Sequence, residues 1–124
     1  MITVTSSSGS DWSSFTLDGV DSRYQSNSSI TSSNVGQITQ KWAIMTQGSV
    51  TSTPIVLGDN MYFADWGGNV YSAVAATGHI NWEVNLGSTS ISSTLALANG
   101  MVYIGDGLGQ TNLFALSQID GHVI

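Results

Sequence analysis

From residue 38 onward the chain alternates apolar and polar residues at a period of two, in short runs broken by glycine, asparagine and aspartate. The runs are Ile38–Met45, Thr51–Leu57, Met61–Asp65, Asn69–Val74, Ile80–Leu86, Ser92–Ala98, Met101–Gly105 and Asn112–Leu116. All are of strand length, and none sustains a helical period. Turn signals fall between them at Gly58-Asp59-Asn60, Gly67-Gly68, Thr77-Gly78, Asn99-Gly100 and Asp120-Gly121. Ala73–Ala76 is a run of helix formers, but Gly78 and the β-branched flanks make it a strand end or a turn. Residues 1–36 differ. They are rich in serine and asparagine, with scattered Trp12, Phe15, Leu17, Tyr24 and Ile30. This predicts an extended or looped lead-in pinned by those side chains, followed by a β domain over residues 37–124.

The β pattern repeats. Ser52–Asp65 aligns without a gap on Ser93–Asp106, so that Ser52, Thr53, Tyr62 and Asp65 meet Ser93, Thr94, Tyr103 and Asp106. Further on, Gly78-His79-Ile80 matches Gly121-His122-Val123. About four strands per unit at a period of roughly 40–45 residues is the signature of propeller blades, whose sheets have apolar faces that need neighbours. The expectation is an all-β chain of about two blades, each a four-stranded antiparallel sheet with strands A to D from the axis outward. Thr51 to Leu86 supplies one full blade, and Ser92 to Leu116 supplies A, B and C of a second. Ile38–Met45 resembles the fourth strand, with Trp42 in the place of Trp82. It therefore reads as an outer strand without its own A, B and C. The blades that complete the ring are expected after residue 124 or in another chain, including further copies of this one.

Composition narrows the function. Two Lys/Arg stand against eight Asp/Glu in 124 residues, which opposes nucleic acid and anionic membrane surfaces, both of which need cationic side chains. Only 8% of the chain is charged, so serine, threonine, asparagine and glutamine carry solubility, as in proteins of the periplasm or the cell exterior. There is no cysteine, hence no disulfide and no thiolate ligand. No apolar run approaches the ~20 residues of a membrane helix, and Met1–Ser10 lacks the features of a signal peptide.

Thr77-Gly78-His79-Ile80-Asn81-Trp82 resembles the second half of the pyrroloquinoline-quinone (PQQ) propeller repeat, Ala-x-Asp-x-x-Thr-Gly-x-x-x-Trp. Trp12, Arg23, Tyr24, Ile30, Asn34, Val35 and Trp42 are similar to the lead-in of quinoprotein alcohol dehydrogenases. Ser52–Ala73 is close to the polyvinyl-alcohol-dehydrogenase-like branch. The resemblance implies a propeller with PQQ on its axis. There a calcium or lanthanide ion polarises the quinone, and an Asp base takes the alcohol proton as hydride moves to the quinone. In that family the ion's ligands and the base come from later blades. The resemblance therefore implies the N-terminal part of such an enzyme, inactive by itself, with a non-catalytic binding or assembly scaffold as the alternative.

Within the chain it points to Thr51, Ser93, Thr94 and Asn99 as polar candidates for the cofactor face. Thr51 stands where the family often has Glu, and Ser93-Thr94 where it has adjacent cysteines. Trp42 and Trp82 are expected to dock on the adjacent blade, each indole N–H reaching a carbonyl, with Ser72 and Ala115 as the small residues on which they land. Asp65 and Asp106 end matching strands, where carboxylates accept backbone N–H bonds in turns. A metal or a sugar hydroxyl is the other reading. His79 and His122 sit in equivalent turns of different units, too far apart to share a metal. Asp11, Asp18 and Asp21 are too widely spaced for a calcium loop, and Asn27-Ser28-Ser29 fits a glycosylation acceptor.

Overall fold

The structure is a computed structural model; it describes residues 11–15, 17, 20–25, 28–87, 90–107 and 112–124. Asp18 and Asn27 lie outside that set. Seven strands form two antiparallel sheets. β1 (Ile55–Leu57), β2 (Asn60–Ala64), β3 (Asn69–Val74) and β4 (Ile80–Asn85) make the first, and β5 (Ala96–Ala98), β6 (Met101–Gly105) and β7 (Leu113–Ser117) the second. In both, sequence order is spatial order. The predicted A strands are shortened to their last three residues. Pro54, lacking an N–H, sits just before β1, and the lead into β5 runs outside its ladder.

The two sheets pack face to face. Ile55, Tyr62, Ala64, Val70 and Trp82 from the first side meet Leu95, Val102, Ile104 and Leu116 from the second in one buried core. Phe63, Tyr71 and Ala73 point to the opposite face of the first sheet, where Ile44, Met61 and Ile80 cover them. The period-two alternation along β2 and β3 produces these two faces. Phe63 and Tyr71 stack there with ring centroids 4.9 Å apart.

One irregularity divides β4 between the faces. Ser72 pairs with Trp82 and Ala73 with Ile80, so Asn81 is an extra residue with no partner across the ladder. In a regular strand Ile80 and Trp82 would share a face. The bulge turns Trp82 into the inter-sheet core and Ile80 to the other side.

Ile38–Met45, expected as an outer strand without its own A, B and C, pairs with none of the described strands. It crosses the outer face of the first sheet as a covering segment, with Ile44 packed on that core. Of the expected anchors of the lead-in, Phe15, Tyr24 and Ile30 are exposed, whereas Trp12 and Leu17 are half-buried. Backbone and polar contacts hold it as well. Trp12 forms a bridge on the free edge of β1, giving its N–H to Val56 O at 3.0 Å and receiving Val56 N–H at 2.8 Å. Asp11 Oδ1 accepts the Gly58 N–H, and Gln25 Nε2 donates to Asp11 O. A 3₁₀ turn at Val35–Gln37 is the only helix among the described residues, and no helix there is long and apolar enough to cross a membrane.

Candidate functional site

Chain direction gives each sheet two distinct ends. The β1–β2 and β3–β4 turns lie at one. The β2–β3 turn and the approach to β1 lie at the other. Thr51, Ser93 and Thr94 stand at the second end, where the resemblance would seat a cofactor. Asn99 does not join them. It occupies the β5–β6 turn at the opposite end, with φ +53°, so the four candidates do not form one face.

The hydroxyls of the other three are engaged with the protein. Thr51 Oγ1 accepts the Trp66 indole N–H at 2.7 Å. Ser93 Oγ donates to Gly105 O at 2.7 Å. Ser52 Oγ does the same to Ala64 O one repeat earlier, so this serine pins the approach of each first strand to the end of the second. Thr94 Oγ1 accepts Thr53 N–H at 3.4 Å and links the two approaches. Among the described residues no three His, Asp or Glu side chains converge on a metal position. The donor set at this end, three neutral hydroxyls already paired, does not by itself fit a quinone or a divalent ion.

Asp65, at the same end, is wholly buried. Its Oδ1 accepts N–H bonds from Gly67 and Asn69 at 2.9 and 3.0 Å. Its Oδ2 accepts from Gly48 N at 3.0 Å and Tyr71 OH at 2.8 Å, and Asn69 Nδ2 bridges both oxygens. Burial works against the charge. The donors from Asn69, Tyr71 and Gly48 outweigh it and hold the carboxyl below the usual range. Burial and the adjoining carboxylate push the Tyr71 hydroxyl well above the ordinary tyrosine value. All lone pairs of Asp65 face donors, so it ties the covering segment, the β2–β3 turn and β3 together. Among the described residues, Asp106 meets Asn112 in the equivalent turn, through its N–H and Nδ2 at 3.0 and 2.8 Å.

The tryptophans dock in the same way twice. Trp42 Nε1 donates to Ala75 O at 3.1 Å, and Trp82 Nε1 donates to Gln118 O at 3.2 Å. Their rings lie on Gly78 and Gly121. A Cβ there would stand 2.8 Å from Trp42 and 2.6 Å from Trp82, and both glycines have φ near +75°. Glycine is thus required by the left-handed backbone and by the ring above it. Ser72 is instead the cross-strand neighbour of Trp82 within its own sheet, and Ala115 pairs with Tyr103. Sequence reasoning read Gly78 and Gly121 only as turn residues. Their recurrence at the same turn of each unit was the signal of their second role. His79 and His122 are exposed in separate turns, the latter paired to Asp120 at 2.8 Å. Asp21 pairs with Arg23 at the surface.

Known proteins place this geometry. The family model for PQQ, described as the glucose/ethanol/alcohol dehydrogenase β-propeller domain, matches residues 12–121. Polyvinylalcohol dehydrogenase from a Pseudomonas species is 28% identical over 82 residues, covering 66% of this chain and 13% of that protein. The quinohemoprotein alcohol dehydrogenase of Pseudomonas putida HK5 superposes with a TM-score of 0.80 at 26% identity, over 91% of this chain and 18% of the enzyme. That of Comamonas testosteroni gives 0.79 at 24% identity, over 92% and 18%. The chain thus spans less than a fifth of each of these relatives. A match to the family over nearly its whole length, with sheets that superpose on two of its enzymes, means that this chain belongs to the β-propeller family of glucose, ethanol and alcohol dehydrogenases.

Proposed function

We propose that the chain is an N-terminal part of the propeller wall of a PQQ-dependent alcohol dehydrogenase, exported to the periplasm or beyond, and that it does not oxidise alcohols by itself. The observation that carries this is the twice-made tryptophan-on-glycine joint, by which one unit fixes the angle of the next. Such a wall supports a cofactor on the axis. The ion, a calcium or a lanthanide, and the base belong to blades this chain would meet in its parent.

The partners are further blades, or further copies of the chain that complete the ring. Two features support this. The outer face of the first sheet carries an apolar groove of about 270 Å³ beside the covering segment, lined by Trp42, Ile44, Val50, Pro54, Met61 and Phe63. Residues 122–124 begin a further pairing beside β7, through the Leu116–Val123 bridge with Ser117 N–H to His122 O and Ile124 N–H to Ala115 O, both at 2.8 Å. A second reading, a non-catalytic scaffold, is favoured by the hydroxyls of Thr51 and Ser93 being spent on protein partners.

A chimera separates the two. Residues 12–121 replace the matching segment of the Pseudomonas polyvinylalcohol dehydrogenase, loaded with PQQ and Ca²⁺. The expected result is dye-linked oxidation of polyvinyl alcohol by the chimera and none by the 124-residue chain under the same conditions. Turnover by the chain alone overturns the proposal; a folded but inactive chimera selects the scaffold.

A further inference from the structure

A cleft of about 480 Å³ opens between the two sheets at the end away from Thr51, Ser93 and Thr94. Asn60, Tyr62, Ser72, Asn81, Gln118 and Ile119 line it, together with Gly100. Its chemistry is neutral and rich in hydrogen-bonding groups. Asn81 Nδ2 donates to Asn60 Oδ1 at 3.0 Å and to Ser72 Oγ at 3.2 Å. Gln118 Nε2 donates to Tyr62 Oη at 3.2 Å. The Ser72 and Tyr62 hydroxyls, on residues only 1% and 2% exposed, therefore accept from amides, and each keeps a proton of its own to donate. Asn60 Nδ2, Asn81 Oδ1 and Gln118 Oε1 add a donor and two acceptors. Among the described residues no charged side chain lines the cleft, while Asp59 and Asp120 adjoin lining residues in the chain and oppose an anion. Ile119, 89% exposed, supplies an apolar lip.

The repeat provides an internal control. The registers place Met101 where the first sheet has Asn60, and Ala115 where it has Ser72. Ile124 follows the Val123 bridge as Asn81 follows Ile80. The blade architecture thus accepts apolar residues at all three positions, and packing does not explain the polar set in the first sheet. Asn81 is moreover the bulged residue of β4, and bulges re-aim side chains.

We propose that this cleft is a binding site for a neutral polyhydroxyl compound, a sugar or a polyol segment. Its hydroxyls exchange hydrogen bonds with Ser72, Tyr62 and the three amides, and its C–H face rests on Ile119. The site is independent of the cofactor axis and of the reading above.

The test titrates the 124-residue chain with maltotriose, with a short polyvinyl alcohol oligomer and with citrate. Binding is followed by calorimetry and by the side-chain amide resonances of Asn60, Asn81 and Gln118. The expected result is saturable binding of one or both neutral probes, with shifts at those three amides. Maltotriose alone identifies a sugar site; the oligomer alone identifies a polyol site. Ser72→Ala and Asn81→Ile install the second unit's own residues, so they should fold, and each should weaken binding about tenfold, as for one or two lost hydrogen bonds. Three results overturn the proposal: no binding of either neutral probe at millimolar concentration, citrate bound as well as the neutral probes, or folded variants that bind like the parent chain.

Discussion

Asp65 and Asp106 occupy the same place in successive units, at the end of β2 and of β6, yet their surroundings differ. Asp65 is buried under five donors from Gly48, Gly67, Asn69 and Tyr71. Asp106 is half-buried, and among the described residues Asn112 is the one that holds its side chain. Two causes are visible. Tyr71 offers a hydroxyl where the second sheet has Phe114. The segment carrying Gly48 also lies over the first turn, fixed by the Trp66 N–H to Ser49 O bond. The sequence motif supplies a turn carboxylate in both units; the donors gathered round Asp65 make it a buried junction. The tryptophans make a similar pair. Trp82 is sealed between two sheets with Tyr62 at 6.1 Å, whereas Trp42, on the covering segment, borders an open groove.

The largest expected effect tests that second pair. Trp82→Ala should destabilise the chain by about 3–5 kcal/mol, as for large aromatic truncations in cores. Trp42→Ala, on a half-buried ring, should cost about half as much. Chemical denaturation measures both, and an equal or reversed order would break the distinction between a joint inside the core and one on its rim.

Next comes the carboxylate pair. Asp65→Ala strands buried donors at roughly 1–3 kcal/mol for each that water does not reach, so a loss of about 3 kcal/mol is expected. Asp106→Ala should lose under about 1 kcal/mol. The pH dependence follows in sign. The folded value of Asp65 lies below its ordinary one, so its stabilisation is complete above the unfolded value of about 3.9 and is lost as pH falls through the folded one. The stability gap between the parent chain and Asp65→Asn should therefore narrow from pH 6 to pH 3. A gap that stays constant would mean that the junction does not depend on the charge.

The smallest effect sharpens the cause. Tyr71→Phe gives the first sheet the second sheet's residue and removes one donor to a charged group, which should cost about 1.5 kcal/mol. If thermal melts of Tyr71→Phe and the parent chain coincide, the Gly48 segment alone accounts for the difference between the corners.

What could be read without the fold was local or periodic. The strands β2, β3, β4 and β6 stand within a residue of their predicted limits, because each is a period-two run closed by a turn signal. The repeat of Ser52–Asp65 in Ser93–Asp106 announced two blades, since a sheet with two apolar faces must have a neighbour. Asp65 was legible as a turn carboxylate, though not its burial.

The cleft was not legible at all. Asn60, Ser72 and Asn81 are far apart in sequence, and an amide inside an apolar strand looks like any edge residue. The sequence by itself thus determined which segments are strands, how many units they make, and where the repeat tryptophans stand, because those depend on neighbours a few residues away or on a fixed repeat. Only the tertiary structure decided that Asn81 is extruded as a bulge, that Trp12 edges β1, that residues 38–45 cover a face without joining a ladder, and that one of two matching aspartates is buried. Each of these turns on a register or a covering segment chosen by long-range packing, where a shift of one residue exchanges the two faces of a strand.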